Sequence, residues 1–249
     1  MDTVIELATL EERFSGEYAS FTEASWQIQL RSVLLREGLV FARGATASDL
    51  IEGLEGLGTV FLHPDASASG ITEIKPNGDE RGGFSRAGLK LHTDRALIQI
   101  PPAFLGLILD EAADSGGEAL FLDSAELVAR LIEVGVSSED LLSVRLVSGV
   151  HGAEALPFLR RIDNVGWQCR YRDDHVGHPS GPPSVLAQID QAFGELVKAV
   201  ELVPGESYVL NNHRWLHGRR DFQGARRASR LLFNAVSESF SAFQLRDLS

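Results

Sequence analysis

His92 and Asp94 stand one residue apart in Leu91-His92-Thr93-Asp94-Arg95, and a second stretch, Asn212-His213-Arg214-Trp215-Leu216-His217-Gly218-Arg219, follows much later. Two imidazoles and one carboxylate drawn from such segments can cap one face of an octahedral metal ion. The opposite positions then stay open, which suits non-heme Fe(II) and oxygen activation. On a strand, positions i and i+2 point to the same face, so His92 and Asp94 can reach one ion together. His217 must then arrive from a distant strand. A His-X-Asp triplet also arises by chance, and a surface histidine beside an aspartate is the plain alternative.

The elements that must position these residues are readable in part. A helix is expected from about Phe21 to Gly38, with Trp26, Leu30, Val33 and Leu34 on one stripe and Gly38 as its stop. A buried strand Leu39 to Ala42 follows, then a helix Ala47 to Leu57 capped by Thr46 or Ser48. Beyond it come short strand candidates at Ile71–Ile74, Ala103–Leu109 and Ala119–Leu122, separated by Gly- and Pro-rich turns. Ser124 is expected to cap a helix to about Gly135 and Ser137-Ser138-Glu139-Asp140 to start another short one; Arg161 to Tyr171 reads as one strand, and Ala187 to Val203 as one long amphipathic helix. Tyr208–Leu210 and Leu231–Ala235 complete the strands. The pattern predicts a mixed α/β chain with an all-β core: a double-stranded β-helix, or jelly-roll barrel, flanked by helices that include the N-terminal ones. No repeat or linker divides residues 1–249, so one domain is expected, with a small-molecule site at the barrel mouth.

Composition narrows the partners. Hydrophobic residues make up 44% and charged residues 23% of the 249, and 23 Lys plus Arg against 35 Asp plus Glu leave a net charge of −12. A surface so acidic is a poor match for nucleic acid or an anionic membrane, which leaves a small-molecule substrate. Cys169 is the single cysteine, so no intrachain disulfide can form. The first residues lack the basic start and apolar run of a signal peptide, and no stretch approaches a membrane span; a cytoplasmic location is the expectation. Nothing in the sequence fixes an oligomeric state.

Taken in order, Gly88-Leu89-Lys90-Leu91-His92-Thr93-Asp94, Pro101-Pro102 and Gly116-Gly117-Glu118-Ala119-Leu120-Phe121-Leu122-Asp123 resemble the taurine dioxygenase and clavaminate synthase-like superfamily. Its members are Fe(II)/2-oxoglutarate-dependent oxygenases. Val203-Pro204-Gly205-Glu206-Ser207-Tyr208-Val209-Leu210-Asn211-Asn212, running into Leu216-His217-Gly218-Arg219, is similar to the segment around that family's distal histidine, and Arg226-Arg227-Ala228-Ser229-Arg230 to its closing arginine strand. The resemblance spans roughly Ile71 to Phe233 and leaves the N-terminal helices outside it.

It implies that His92, Asp94 and His217 hold iron, that 2-oxoglutarate and O2 are co-substrates, and that an arginine anchors the far carboxylate of 2-oxoglutarate. A guanidinium matches a carboxylate with two parallel hydrogen bonds, which lysine cannot imitate. Arg226 and Arg230 have the family's Arg-X-X-X-Arg form; the first usually holds 2-oxoglutarate and the second often an anionic group of the substrate. Arg226 follows His217 by 9 residues and Arg230 by 13, so spacing leaves either as the anchor. Where the family tends to place a threonine whose hydroxyl supports that carboxylate, this chain has Ala119.

The implied reaction is oxidative decarboxylation to succinate and CO2 coupled to hydroxylation of a C–H bond in a small polar, anionic substrate, an amino acid or natural-product intermediate. Desaturation, cyclisation or epoxidation at the same iron is an alternative outcome, and a non-catalytic metal-binding jelly roll an alternative class. Related halogenases carry a small residue in place of the carboxylate, so Asp94 implies oxygen insertion. Phe84, Ser85 and Arg170, with Trp167 and Arg86, are candidate substrate-pocket walls. Arg219, Arg220 and Arg227 read as solvated surface. Of the remaining histidines, His63, His151, His175, His178 and His213, the pair His175 and His178 has metal-like spacing but reads better as a loop facing solvent.

Overall fold

Alternation of side chains along short strands sorts the chain into two facing sheets. The computed structural model describes residues 4–21, 25–78, 82–149, 153–162, 164–245 and 248. Among these, a large antiparallel sheet runs in the order Ala19–Phe21, Ile5–Ala8, Leu39–Arg43, Glu206–Asn211, Phe104–Glu111, Arg227–Ala235, Gly58–Val60, with Thr72–Ile74 also paired to Arg227–Ala235. A smaller sheet runs Lys198–Val200, Ala119–Asp123, Trp215–Arg219, Leu89–His92.

Successive side chains on a strand point to opposite faces, and each strand here has two apolar faces to bury. Phe41, Leu105, Leu109, Tyr208, Leu210 and Leu232 of the large sheet meet Ala119, Phe121 and Trp215 of the small one. Phe121 stacks edge-on against Phe41 and Tyr208, at ring-centroid distances of 5.6 and 4.9 Å. The alternate residues Val40, Ala42, Ile108, Val209, Leu231 and Phe233 face outward and are covered by Trp26, Leu30 and Leu34 of the helix Trp26–Glu37 and by Leu50 of Ala47–Gly53. On the far side Leu91, Leu122 and Leu216 pack under Leu127 and Leu131 of the helix Ser124–Glu133 and Ile189 of Pro183–Leu196. The result is four layers: helices, large sheet, small sheet, helices. Among the described residues no hydrogen-bonded strand pair joins the sheets, so the expected barrel is open, two sheets facing across a shared interior.

Several expected elements change on folding. The helix spans Trp26–Glu37 and ends as read, with Gly38 in the left-handed conformation at φ 73°, but Phe21 of its expected start closes the strand Ala19–Phe21, and residues 22–24 lie outside the described residues. The cap expected at Ser124 is Asp123, whose carboxylate accepts from the Ala125 N–H at 2.9 Å. The N-terminal segment is not wholly helical: Ile5–Ala8 and Ala19–Phe21 extend the large sheet around the short helix Leu10–Ser15. Arg161 to Tyr171 is a hairpin, Leu159–Ile162 against Gly166–Cys169, because Asn164 at φ 55° and Gly166 at φ 148° turn the chain. The expected helix Ala187–Val203 stops at Leu196, because Lys198–Val200 pairs with Ala119–Phe121 at the small sheet's edge. No described helix is long and apolar enough to cross a membrane.

The turn into Trp215–Arg219 is tied down from several sides. Buried His213 places Nε2 3.1 Å from the Pro101 carbonyl and Nδ1 2.9 Å from Ser241 Oγ. Asn211 donates to the Ser241 carbonyl at 3.0 Å. Nε2 faces a carbonyl oxygen and so donates, while the Ser241 hydroxyl can serve Nδ1 as donor or acceptor. Burial pushes the His213 pKa down to about 4. The unfolded chain protonates this ring at a higher pH than the folded one, so folding stability falls as pH drops from about 6.5 towards 4. The full difference is about 3 kcal/mol. Urea unfolding at stepped pH should show that His213→Gln flattens the dependence in this window; equal slopes for variant and wild type would refute the assignment.

Candidate metal centre and carboxylate cavity

The two histidines are brought together by register. His217 is the direct antiparallel partner of His92, and their ring centroids lie 4.5 Å apart. Both rings face the interior because their neighbours Leu216 and Leu91 face the outer helices. The register is locked at the other side of the strand, where Arg214 forms a two-pronged pair with Asp123, Nη2 to Oδ2 at 2.7 Å and Nε to Oδ1 at 3.0 Å. Gly218 sits where a Cβ would lie 2.5 Å from the Leu89 carbonyl oxygen, so the close approach of the two strands requires glycine there.

Asp94 reaches the same point by a different route from the one alternation suggests. The strand ends at His92, and Asp94 lies in the turn beyond it. The buried amide of Asn212 holds that turn: its oxygen accepts from the Asp94 N–H at 2.7 Å, and its nitrogen donates to the carbonyls of Asp94 and Pro102 at 3.0 and 2.8 Å. Thr93 adds a further tie, its N–H donating to the Tyr171 carbonyl at 2.9 Å. Arg170, expected at the substrate, instead has its guanidinium buried against the carbonyls of Ala96, Ile98 and Gln99, outside the cavity described below. It braces the chain just after Asp94.

His92, Asp94 and His217 are 5–7% exposed, and ligand atoms from all three lie within 4.8 Å of one another. No other group of three histidines, cysteines or carboxylates among the described residues is so placed. His92 Nδ1 lies 2.9 Å from the Lys90 carbonyl, which turns Nε2 towards the shared point. His217 Nδ1 is buried without a hydrogen-bond partner among the described residues. Burial, His92 and Arg230 push the His217 pKa down to about 3, so the ring is neutral, the form that binds a metal. Burial alone would raise the Asp94 pKa, but Arg230 and the two histidines hold the carboxyl far below its usual range. Two imidazoles, that of His217 held neutral, with an ionised carboxylate and an orphaned ring nitrogen make a donor set fitted to a divalent cation of the Fe(II) type.

A small cavity adjoins the triad, with Leu105, Leu107 and Tyr208 of the large sheet on one wall and Leu89 and Ala119 of the small sheet on the other. Three arginines enter it: Arg219, Arg226 and Arg230. Arg230 Nη1 lies 3.1 Å from Asp94 Oδ2, beside the metal ligands. Arg226 precedes the strand Arg227–Ala235, where a register shift between Arg227 and Ala228 interrupts the pairing with Phe104–Glu111, and it is buried without a carboxylate partner among the described residues. Arg219, expected at the surface, is only 6% exposed. Its position two residues after His217 on one strand is the signal that alternation offered. Arg220 and Arg227 are exposed as expected.

Ser85 is buried, its hydroxyl accepting from the Ala87 N–H at 2.9 Å, and its carbonyl takes a hydrogen bond from Arg219. Phe84 packs partly buried against the inter-sheet core. Neither borders the cavity wall, although Gly83 beside them does. Trp167 is core. His175 and His178 are exposed with no third ligand near them, and His151 lies outside the described residues.

The family description "Taurine catabolism dioxygenase TauD, TfdA family" matches residues 8–133, just over half of the chain. The match takes in the N-terminal helices that the motif resemblance left out, and it ends before His217 and the arginines. No curated protein matches the sequence significantly. Among solved structures, the fold is similar to that of asparagine oxygenase in complex with Fe(II), 2S,3S-3-hydroxyasparagine and succinate, with a TM-score of 0.62, 18% identity, and 85% of this chain and 79% of that one covered. It is similar to the non-heme iron oxygenase OrfP in complex with Fe, succinate and (3S)-hydroxy-L-Arg, with a TM-score of 0.63, 17% identity and coverage of 86% and 80%. PvcB from Pseudomonas aeruginosa gives 0.61, 18%, 84% and 79%; a second structure of PvcB is described as an Fe, alpha-ketoglutarate dependent oxygenase from an isonitrile synthetic pathway.

Asn212→Leu removes three hydrogen bonds, two to Asp94 and one to Pro102, while keeping the branched outline and heavy-atom count of the side chain. Supporting contacts of this kind are worth roughly 10–100-fold in metal affinity, and anaerobic Fe(II) titration should show a loss in that range; unchanged affinity would mean the amide does not position Asp94. Gly218→Ala should force the strands apart and cost about 2 kcal/mol or more in urea unfolding, with a parallel loss of iron binding.

Proposed function

We propose that this chain, which belongs to the taurine catabolism dioxygenase TauD, TfdA family, is an Fe(II)- and 2-oxoglutarate-dependent oxygenase that hydroxylates a C–H bond of a small anionic substrate of amino-acid type. The observation that carries this reading is one cavity containing both a three-ligand metal face and buried arginines. A metal-binding protein without turnover has no need of such cations. Under this reading the whole chain acts as one oxygenase domain, and its two facing sheets are a jelly roll opened at the hydrogen-bond level.

His92, Asp94 and His217 would hold the iron, each from a backbone position fixed before metal arrives. When bound, the iron with 2-oxoglutarate and O2 supplies oxidative decarboxylation to succinate and CO2 and the oxidising power to attack an unactivated C–H bond. The chain's own part is orientation and dryness. Arg226 would take the far carboxylate of 2-oxoglutarate, since its charge is buried and unpaired. Arg230, already paired with Asp94, would offer its remaining N–H groups to an anionic group of the substrate. Leu105 and Leu107 keep the walls apolar, which strengthens each charged contact inside. Asp94 fills the position that a halogenating site would leave for chloride, so oxygen insertion is the expected outcome. The amino-acid class draws support from the hydroxyasparagine and hydroxyarginine in the complexes of asparagine oxygenase and OrfP.

Adding 2-oxoglutarate to the anaerobic Fe(II) protein should produce a visible metal-to-ligand charge-transfer band, and its absence would sink the reading. A screen of amino acids for substrate-dependent succinate formation should then identify the substrate class. Arg226→Met should raise the KM for 2-oxoglutarate far more than that for substrate, and Arg230→Met should do the reverse. A swapped pattern would exchange the two roles.

A further inference from the structure

Arg219 and Arg226 place two buried cations at one cavity with no carboxylate of the described residues paired to either. Each is 6% exposed and each lines the cavity. Arg226 makes no hydrogen bond or ion pair to any described residue, and its stem packs over Gly117, where a Cβ would lie 3.4 Å from the Arg226 Cδ. Arg219 is held from behind. Its Nη2 donates to the carbonyls of Ser85 and Ala87, both at 2.7 Å, and its Nε to that of Arg220 at 3.2 Å. The guanidinium lies 4.5 Å from the Phe222 ring centre. Its Nη1 has no partner among the described residues. Among the described residues the acidic groups nearby are engaged elsewhere or stand off: Asp94 pairs with Arg230, Glu118 lies 3.9 Å from Arg220, and Asp221 acts on Arg219 only from beyond ion-pair distance. Buried charge without a counter-charge is costly, and two like charges at one cavity compound the cost. A folded protein keeps such a pair where a ligand supplies the missing charge.

Register shows which ligand group fits. Arg219 follows His217 by two residues on one strand, so it faces the same interior at a distance of roughly 7 Å along the strand. A five-carbon 2-oxo diacid chelated at the metal by its 2-oxo acid end can bring its far carboxylate to that position. Directly across the strand pair from Arg219 stands Ala119, which offers the cavity a methyl group and no donor. The small side chain leaves room for the arginine opposite. We propose that Arg219 is a second binding residue for the far carboxylate of 2-oxoglutarate, holding it jointly with Arg226 and supplying from the neighbouring strand the donors that Ala119 lacks. The carbonyl clamp from Ser85 and Ala87 fixes the guanidinium in advance and leaves Nη1 to make the contact.

This inference rests on the co-substrate reading above, and the experiment separates the two. Dissociation constants are measured anaerobically on the Fe(II) protein from the charge-transfer band, for 2-oxoglutarate and for 2-oxopentanoate, which has the same chelating end but no far carboxylate. Wild type should prefer 2-oxoglutarate strongly. Arg219→Met should weaken 2-oxoglutarate roughly 10–100-fold, the scale of a lost charged hydrogen bond, and change 2-oxopentanoate less than about threefold. Arg219→Lys, which retains the charge and disturbs folding less, should give a smaller but equally selective loss. Equal weakening of both acids would make Arg219 a structural brace only, and no weakening of either would overturn the proposal outright. A wild-type protein that forms no band with 2-oxoglutarate would instead defeat the co-substrate reading itself.

Discussion

The pairing of His217 with His92 is the contact on which the site depends. Two antiparallel strands place these residues opposite each other, and every other part of the site is measured from that pair. Arg214 with Asp123 keeps Trp215–Arg219 from slipping, since a shift of one residue would turn the His217 ring towards the helices. Gly218 lets the strands approach closely enough for the rings to share an ion. Asn212 then sets the Asp94 turn against that pair through three backbone contacts. The metal face is thus specified by main-chain geometry more than by freedom in the ligands themselves.

The charge balance inside is opposite to that of the whole molecule. The chain carries a net −12, yet the cavity gathers Arg219, Arg226 and Arg230 around one ionised carboxylate. Apolar walls from both sheets lower the local dielectric, so these charges act over the width of the cavity with little screening. An acidic exterior with a cationic interior repels anions in general and rewards only those shaped to enter. The shape comes from the sheets, and the reward from guanidiniums that have no competing partner in the protein.

Much of this was legible in the residues. His92, Asp94 and His217 could be singled out by donor type, and the alternation of Leu91 with His92 and of Leu216 with His217 tells which way the rings face. Helix ends at Gly38 and caps at Thr46 and Ser137 followed from local chemistry. What local chemistry could not supply was pairing. Arg219 looked like one member of an arginine-rich surface until the strand Trp215–Arg219 turned it inward. Arg170 looked like a pocket wall because nothing in its neighbourhood announces three carbonyls waiting on the turn after Asp94. The supposed helix Ala187–Val203 loses its end to the sheet because Lys198–Val200 finds Ala119–Phe121, a partner far away in sequence. Each of these differences is a tertiary contact prevailing over a local preference.

The strand order also has a consequence for how the protein comes into being. In the large sheet, Leu39–Arg43 and Phe104–Glu111 do not touch each other; Glu206–Asn211 lies between them, and Arg227–Ala235 covers the other side of Phe104–Glu111. In the small sheet, Leu89–His92 meets Ala119–Asp123 only through Trp215–Arg219. As the chain leaves the ribosome, Leu39–Arg43 can pair early with Ile5–Ala8 but must wait for Glu206–Asn211 on its other edge, and Leu89–His92 must wait for Trp215–Arg219. A nascent chain therefore holds His92 and Asp94 well before His217, the third member of the candidate metal face, has been made.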